Sequence, residues 1–343
     1  MLSKPASFSA DFRTLMRAAA LQCDRQRCET AISMLEEATR VQPGSARVFF
    51  HLGFCHTGGC REHSLVNPAM AAEYLRHALL LTGASTDFLL RANTLSALGN
   101  ICSRQEASAT ALREAISYHR DAAEIYARLG RPNDLAREEF NQADAWCELT
   151  ESKFPDKWAQ AVTHYENALR VRTKKDDPRA YASTIMNLGT ALRQLPSGEK
   201  KRNVLRAIRC YRQALLIDRF QTSHSQFAKL CNNLGNACMT YPNRDGASAE
   251  RHARYAIRHF ERALQVWTME EDSYYYALVQ YNLGGAYLEL PAEPRHVTKS
   301  LACFAAAFEC AKSSGYAEIQ RLAGAQLNGI RCFLSGSATQ ASL

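Results

Sequence analysis

The sequence predicts an all-α, right-handed solenoid of about seven helix pairs closed by one further helix. Three observations predict it: a signature that recurs every 44 to 49 residues, a second signature of small and bulky residues after each copy, and Pro or Gly breakers between the two. Such a period marks a chain whose unit buries its apolar face only by stacking on the next unit.

The first signature reads Asn187-Leu188-Gly189, Asn233-Leu234-Gly235 and Asn282-Leu283-Gly284, with 46 and then 49 residues between copies. A degenerate copy, Asn141-Gln142-Ala143, lies 46 residues before the first, and Leu98-Gly99 and Leu52-Gly53 extend the series at steps of 44 and 46. The second signature is small, bulky and small at spacings of four and three. From the N-terminus it reads Ala31/Leu35/Ala38, Ala71/Leu75/Ala78, Ala115/His119/Ala122, Ala161/Tyr165/Ala168, Ala207/Tyr211/Ala214, Ala256/Phe260/Ala263 and Ser300/Phe304/Ala307. That spacing puts the three residues on one helix face, small where another helix approaches closely and large where the gap is filled. Leu195-Pro196-Ser197-Gly198, Tyr241-Pro242-Asn243 and Leu290-Pro291 stop the first helix before the second starts. Each unit is therefore helix A, turn, helix B. A last helix over 316–334, apolar at Ile319, Leu322, Ala323, Leu327 and Ile330, covers the final pair, and Asn328 falls in phase 46 residues after Asn282. No Gly/Ser-rich linker interrupts the series, so the expected organisation is an N-terminal extension over 1–9, one continuous domain over 10–334 and a flexible tail over 335–343.

These motifs resemble the tetratricopeptide repeat family, which carries Leu-Gly and an aromatic on helix A, Ala, an aromatic and Ala on helix B, and often Pro at the junction. In the first unit Ala19 takes the Gly slot, Pro43 follows Ala38, and Gly53 stands at the family's usual step of 34 residues. The longer later units, with Asn-Leu-Gly-x-Ala and Leu-Pro, are most similar to repeats that accompany bacterial CHAT-type, caspase-like peptidase domains. The resemblance implies a non-catalytic scaffold or adaptor that holds an extended peptide or a partner helix in its concave groove, with a separately encoded effector such as a caspase-like peptidase as partner.

The 343 residues, 46% hydrophobic and 22% charged, are too apolar for a disordered chain. No run approaches the roughly 18 apolar residues of a membrane span, and 1–10 lacks a secretory h-region, so the expected setting is cytoplasmic without a membrane. The 12 Cys are scattered among Ala and Leu and read as reduced core thiols, and the net charge of +8 permits an acidic partner.

The recurring Asn is the leading functional feature. A residue that only holds helices together would be apolar, whereas an amide offers both donors and acceptors to a peptide main chain. Helices about 8–10 Å apart present one amide to every third residue or so of an extended peptide, which advances about 3.3 Å per residue. The expected peptide-binding ladder is Asn141, Asn187, Asn233, Asn282 and Asn328, with Asp144, Thr190, Arg193, Gln194, Lys229 and Asn236 meeting ligand side chains. The bland alternative bonds these amides within their own repeats.

Two other features carry chemistry. Arg202, Arg206 and Arg209, then Arg251, Arg254 and Arg258, form stripes on B helices. They read as a solvated face or, in the runner-up function, as a nucleic-acid-binding surface; a purely structural, self-associating solenoid is a third reading. Cys23, Cys28, Cys55, Cys60 and His63, with His51 and His56 beside them, carry zinc-type donors, but the Cys-x4-Cys spacing is wider than a zinc knuckle and ordinary thiols are expected. Tyr274-Tyr275-Tyr276 has no interleaved basic residues and is expected to pack between repeats. No phosphate loop, Ser elbow or strand frame for a nucleophile occurs, so no enzyme and no cofactor are expected.

Overall fold

A computed structural model describes residues 10–24, 28–57, 66–83, 86–104, 108–150, 153–196, 199–221, 224–242 and 246–340. Among them there are fifteen helices and no strand. The chain divides between Val171 and Arg172 into two compact units. The turn before Pro178 runs from Thr173 to Asp177 with the same backbone bond as the turn from Thr268 to Asp272 inside the second unit, so its form does not mark the division.

The first unit holds four pairs: α1 (Ala10–Asp24) with α2 (Cys28–Val41), α3 (Ala46–His56) with α4 (Pro68–Thr82), α5 (Phe88–Arg104) with α6 (Ala109–Arg128), and α7 (Pro132–Glu148) with α8 (Lys157–Leu169). The second holds α9 (Pro178–Gln194) with α10 (Lys200–Gln221), α11 (His224–Met239) with α12 (Gly246–Leu264), α13 (Ser273–Leu288) with α14 (Pro294–Ser314), and the single α15 (Ala317–Gln340). The last helix runs six residues past Leu334 into the stretch expected as a tail. The predicted extension over 1–9 lies outside the described residues.

Within each unit the layering follows from the two signatures. A Cβ built on Gly53 would come within 2.6 Å of Leu75, on Gly99 2.6 Å from His119, on Gly189 2.8 Å from Tyr211, on Gly235 2.5 Å from Phe260 and on Gly284 2.9 Å from Phe304. The glycine of helix A is the seat for the bulky residue of its own helix B, and both are buried. Successive A helices touch, α3 with α5, α5 with α7, α9 with α11, α11 with α13 and α13 with α15, while each B helix packs between its own A helix and the next within its unit.

Helix starts are fixed locally. Asn67, Ser108, Asp177 and Asp272 accept from the backbone N–H three residues on, and Pro68, Pro132, Pro178 and Pro294 occupy first-turn positions where no N–H is needed. At the end of α6, Gly130 takes φ 64° and Arg131 N–H reaches Tyr126 C=O at 2.9 Å, a stop that requires a residue without Cβ.

Candidate peptide-binding face

The A helices carry the predicted amides, and two of them bond to asparagines of the preceding A helix that the recurring series did not include. Asn141 on α7 donates from Nδ2 to Asn100 Oδ1 on α5 at 3.3 Å, and Asn282 on α13 donates from Nδ2 to Asn232 Oδ1 on α11 at 3.1 Å. Each unit thus has two amides in line across neighbouring A helices. An Asn has two N–H donors and two acceptor lone pairs, so each donating residue spends one of four bonding positions on its neighbour. Asn233 is half-buried and its side chain has no hydrogen-bond partner among the described residues; Asn187 is half-buried and engaged within the structure, and Asn328 is exposed on α15.

The residue one turn beyond each Asn meets the bulky residue of helix B. The Tyr165 hydroxyl donates to Asp144 Oδ1, and the Tyr211 hydroxyl lies 3.1 Å from Thr190 Oγ1. Where helix B carries Phe260 instead, Asn236 meets no hydroxyl. Arg193 sits beside the Tyr211 hydroxyl, its Nε buried without a partner among the described residues. Asp144, Thr190 and Arg193 therefore serve their own repeats as well as facing outward. Burial, and for Tyr165 the Asp144 carboxylate, push both phenols up, so they stay protonated donors. Lys229 and Gln194 are exposed, and Asn236 is half-buried.

Beneath this face in the first unit lies a buried polar cluster that sequence reasoning missed. Glu138 on α7 accepts from Ser96 Oγ at 2.8 Å and from Arg137 Nε at 3.2 Å through one oxygen, and its other oxygen is 2.7 Å from His119 Nδ1. His119 and Glu138 are both fully buried. The carboxylate stands between Ser and His, so the imidazole does not reach the hydroxyl as a base would have to, and the group reads as a joint between α5, α6 and α7. The signals available were Asn100 directly after Leu98-Gly99 and Asn232 directly before Asn233 for the amide pairs, and a charged residue in the apolar register of α7 for this cluster.

The remaining candidates separate cleanly. Cys60 and His63 lie outside the described residues, as do the side chains of Cys23 and Cys28; Cys55 is buried on α3, and no group of potential metal ligands occurs among the described residues. No disulfide joins the nine cysteines whose side chains are described. Tyr275 stacks on Trp267 at 4.2 Å and Tyr274 meets Tyr316 edge-on at 5.2 Å, so the tyrosine run packs between helices. Of the arginine stripes, Arg202, Arg209, Arg251, Arg254 and Arg258 are exposed, and Arg254 pairs with Glu250 at 2.6 Å. Among the described residues no helix is long and apolar enough to cross a membrane.

No family model matches the chain, and no curated protein matches it. Solved structures do. A signal-transduction ATPase with numerous domains (STAND) from Pyrococcus horikoshii, carrying a tetratricopeptide repeat sensor, aligns with a TM-score of 0.63 at 13% identity over 91% of this chain. The fold is a tetratricopeptide-type α-solenoid. The chain spans 44% of that ATPase's length. Apo RapI aligns with a TM-score of 0.52 at 12% identity, covering 89% of this chain and 99% of its own. PilF of Pseudomonas aeruginosa aligns with a TM-score of 0.51 at 16% identity, covering 77% of this chain and 96% of its own.

Proposed function

We propose that the chain is a non-catalytic protein-interaction scaffold whose A-helix face grips the main chain of an extended peptide or partner helix. The observation that carries this is the pairing of amides across neighbouring A helices, Asn100 with Asn141 and Asn232 with Asn282. Cross-linked amides are held in line at little further entropic cost on binding; Asn232 is buried, so the donors and acceptors left to match a peptide's own are those of Asn100, Asn141 and Asn282. Asn187 and Asn233 stand at the recurring sequence position of α9 and α11, one residue from Asn232 on the latter, with Asn328 at the end of the series. Asp144, Thr190, Arg193, Lys229 and Asn236 supply side-chain selectivity, Lys229 and Arg193 toward carboxylates.

The partner is an effector protein, and the likeness of the long-turn repeats to those accompanying CHAT-type domains favours a caspase-like peptidase. The STAND ATPase carries a tetratricopeptide repeat sensor, which supports an interaction role for repeats of this fold. The test is affinity for a partner recovered by pull-down and then purified. Replacing Asn187 and Asn233 together with Ala lowers affinity about tenfold or more if the row grips main chain. An unchanged affinity in the folded double variant refutes the reading.

A further inference from the structure

On the B-helix side of the second unit, α10 and α12 flank α11 and leave a groove of about 350 Å³. Its floor is Leu234 of α11, and its walls carry Leu215 and Leu216 of α10, with Leu216 67% exposed. Such exposure of a leucine is unusual on helices whose other outward positions are largely Arg, Gln and Glu.

Three guanidinium groups line the same groove, Arg212 from α10 and Arg258 and Arg262 from α12. None pairs with a carboxylate among the described residues; Arg262 rests on the Phe227 ring at 4.9 Å. The acidic residues of α12 are occupied, Glu250 by Arg254 and Glu261 by the Tyr287 hydroxyl. Between the arginines lies His259, only 6% exposed, with Nδ1 buried and without a hydrogen-bond partner among the described residues. Burial first, then Arg262, Arg212 and Arg258, hold its pKa down to about 4. The imidazole is therefore neutral at pH 7, and all three cations act on one point of the groove.

Three unneutralised cations beside an aliphatic floor and a buried, unsatisfied ring nitrogen form a surface that lacks its complement. We propose that this groove is a second docking site, separate from the A-helix face, for an acidic amphipathic segment of a protein partner. Its carboxylates pair with Arg212, Arg258 and Arg262, and its leucine-like side chains cover Leu216 and Leu234. Nucleic acid fits less well. The floor is aliphatic rather than a stacking platform, and the one aromatic wall, Tyr255, lies against His259 with ring centroids 4.6 Å apart.

The test is fluorescence anisotropy with a labelled peptide of about 18 residues, five helical turns, with Leu at helical spacing on one face and Glu on the other. The comparison probes are the same peptide with Leu replaced by Gln, and single-stranded oligothymidine. The full chain should bind the first probe. Arg212→Glu with Arg258→Glu, and separately the exposed Leu216→Asp, should each weaken binding about tenfold or more, with circular dichroism unchanged. Asn187→Ala with Asn233→Ala should leave it unaltered, so the outcome does not depend on the A-helix reading. The proposal is overturned if the Leu-free peptide or oligothymidine binds as tightly, if the groove variants bind like wild type, or if the intact peptide does not bind.

Discussion

Replacing Gly235 with Ala tests the packing code that organises every repeat. The added Cβ would lie 2.5 Å from Phe260 Cε1 and 2.8 Å from its Cζ, and the ring is fully buried. Ala256, Ile257 and Ala263 belong to the same buried cluster as the ring, which leaves it little room to turn aside. Overpacking of this kind costs about 1–3 kcal/mol, and the better helix propensity of Ala returns about 1 kcal/mol. The expected net loss is about 0–2 kcal/mol, up to roughly 8 °C in Tm for a unit of this size. Gly285, one residue along the signature on α13, has open space around its would-be Cβ. There Ala should stabilise by about 0.5–1 kcal/mol through propensity alone. Thermal melts followed at 222 nm compare the two, and a Phe260→Leu background should relieve part of the Gly235→Ala loss as a coupled pair. A Gly235→Ala protein as stable as the Gly285→Ala protein would refute the seat-and-knob account.

Other outcomes follow from the buried polar groups. Glu138→Leu strips Ser96, Arg137 and His119 of their shared acceptor and should cost about 3 kcal/mol in urea unfolding, against a smaller loss for Glu138→Gln. Tyr165→Phe removes the hydroxyl that Asp144 accepts and should cost about 1 kcal/mol, with Tyr211→Phe similar through Thr190. Because the folded pKa of His259 lies near 4, below the ordinary imidazole value, its contribution to stability is intact above the unfolded pKa and is lost as the pH falls through the window down to about 4. His259→Phe should flatten that part of the pH–stability curve, and an unaltered acid limb would contradict the shift. Burial pushes the Cys147 and Cys238 thiols up to about 12, so at pH 8 a disulfide reagent should label exposed Cys332 promptly and these two only on unfolding.

The repeat was legible because its determinants are close in sequence. Gly189 and Tyr211, or Gly235 and Phe260, lie within one helix pair, so spacing alone exposes the match of small to large. The pairing of amides was legible only as a row. Asn282 bonds to Asn232 and not to Asn233, and one residue along a helix is a rotation of about 100°, set by how consecutive A helices pack and not by either sequence. His119 was visible in the bulky slot, yet its partner Glu138 lies 19 residues on in the next repeat. No periodicity reports a contact of that kind. The division after Val171 left no mark because the turn there follows the same grammar as its neighbours: Thr173 and Thr268 each accept from an Asp four residues on, and Asp177 and Asp272 each cap the next helix.

What a visiting chain touches is most directly seen in the side-chain amide resonances of Asn-labelled protein during titration with its partner. Shifts at Asn187, Asn233 and Asn282, with backbone resonances of the B helices unmoved at the same sites, are the predicted outcome for a main-chain grip. Amide signals that stay fixed while the partner binds at saturation would contradict it.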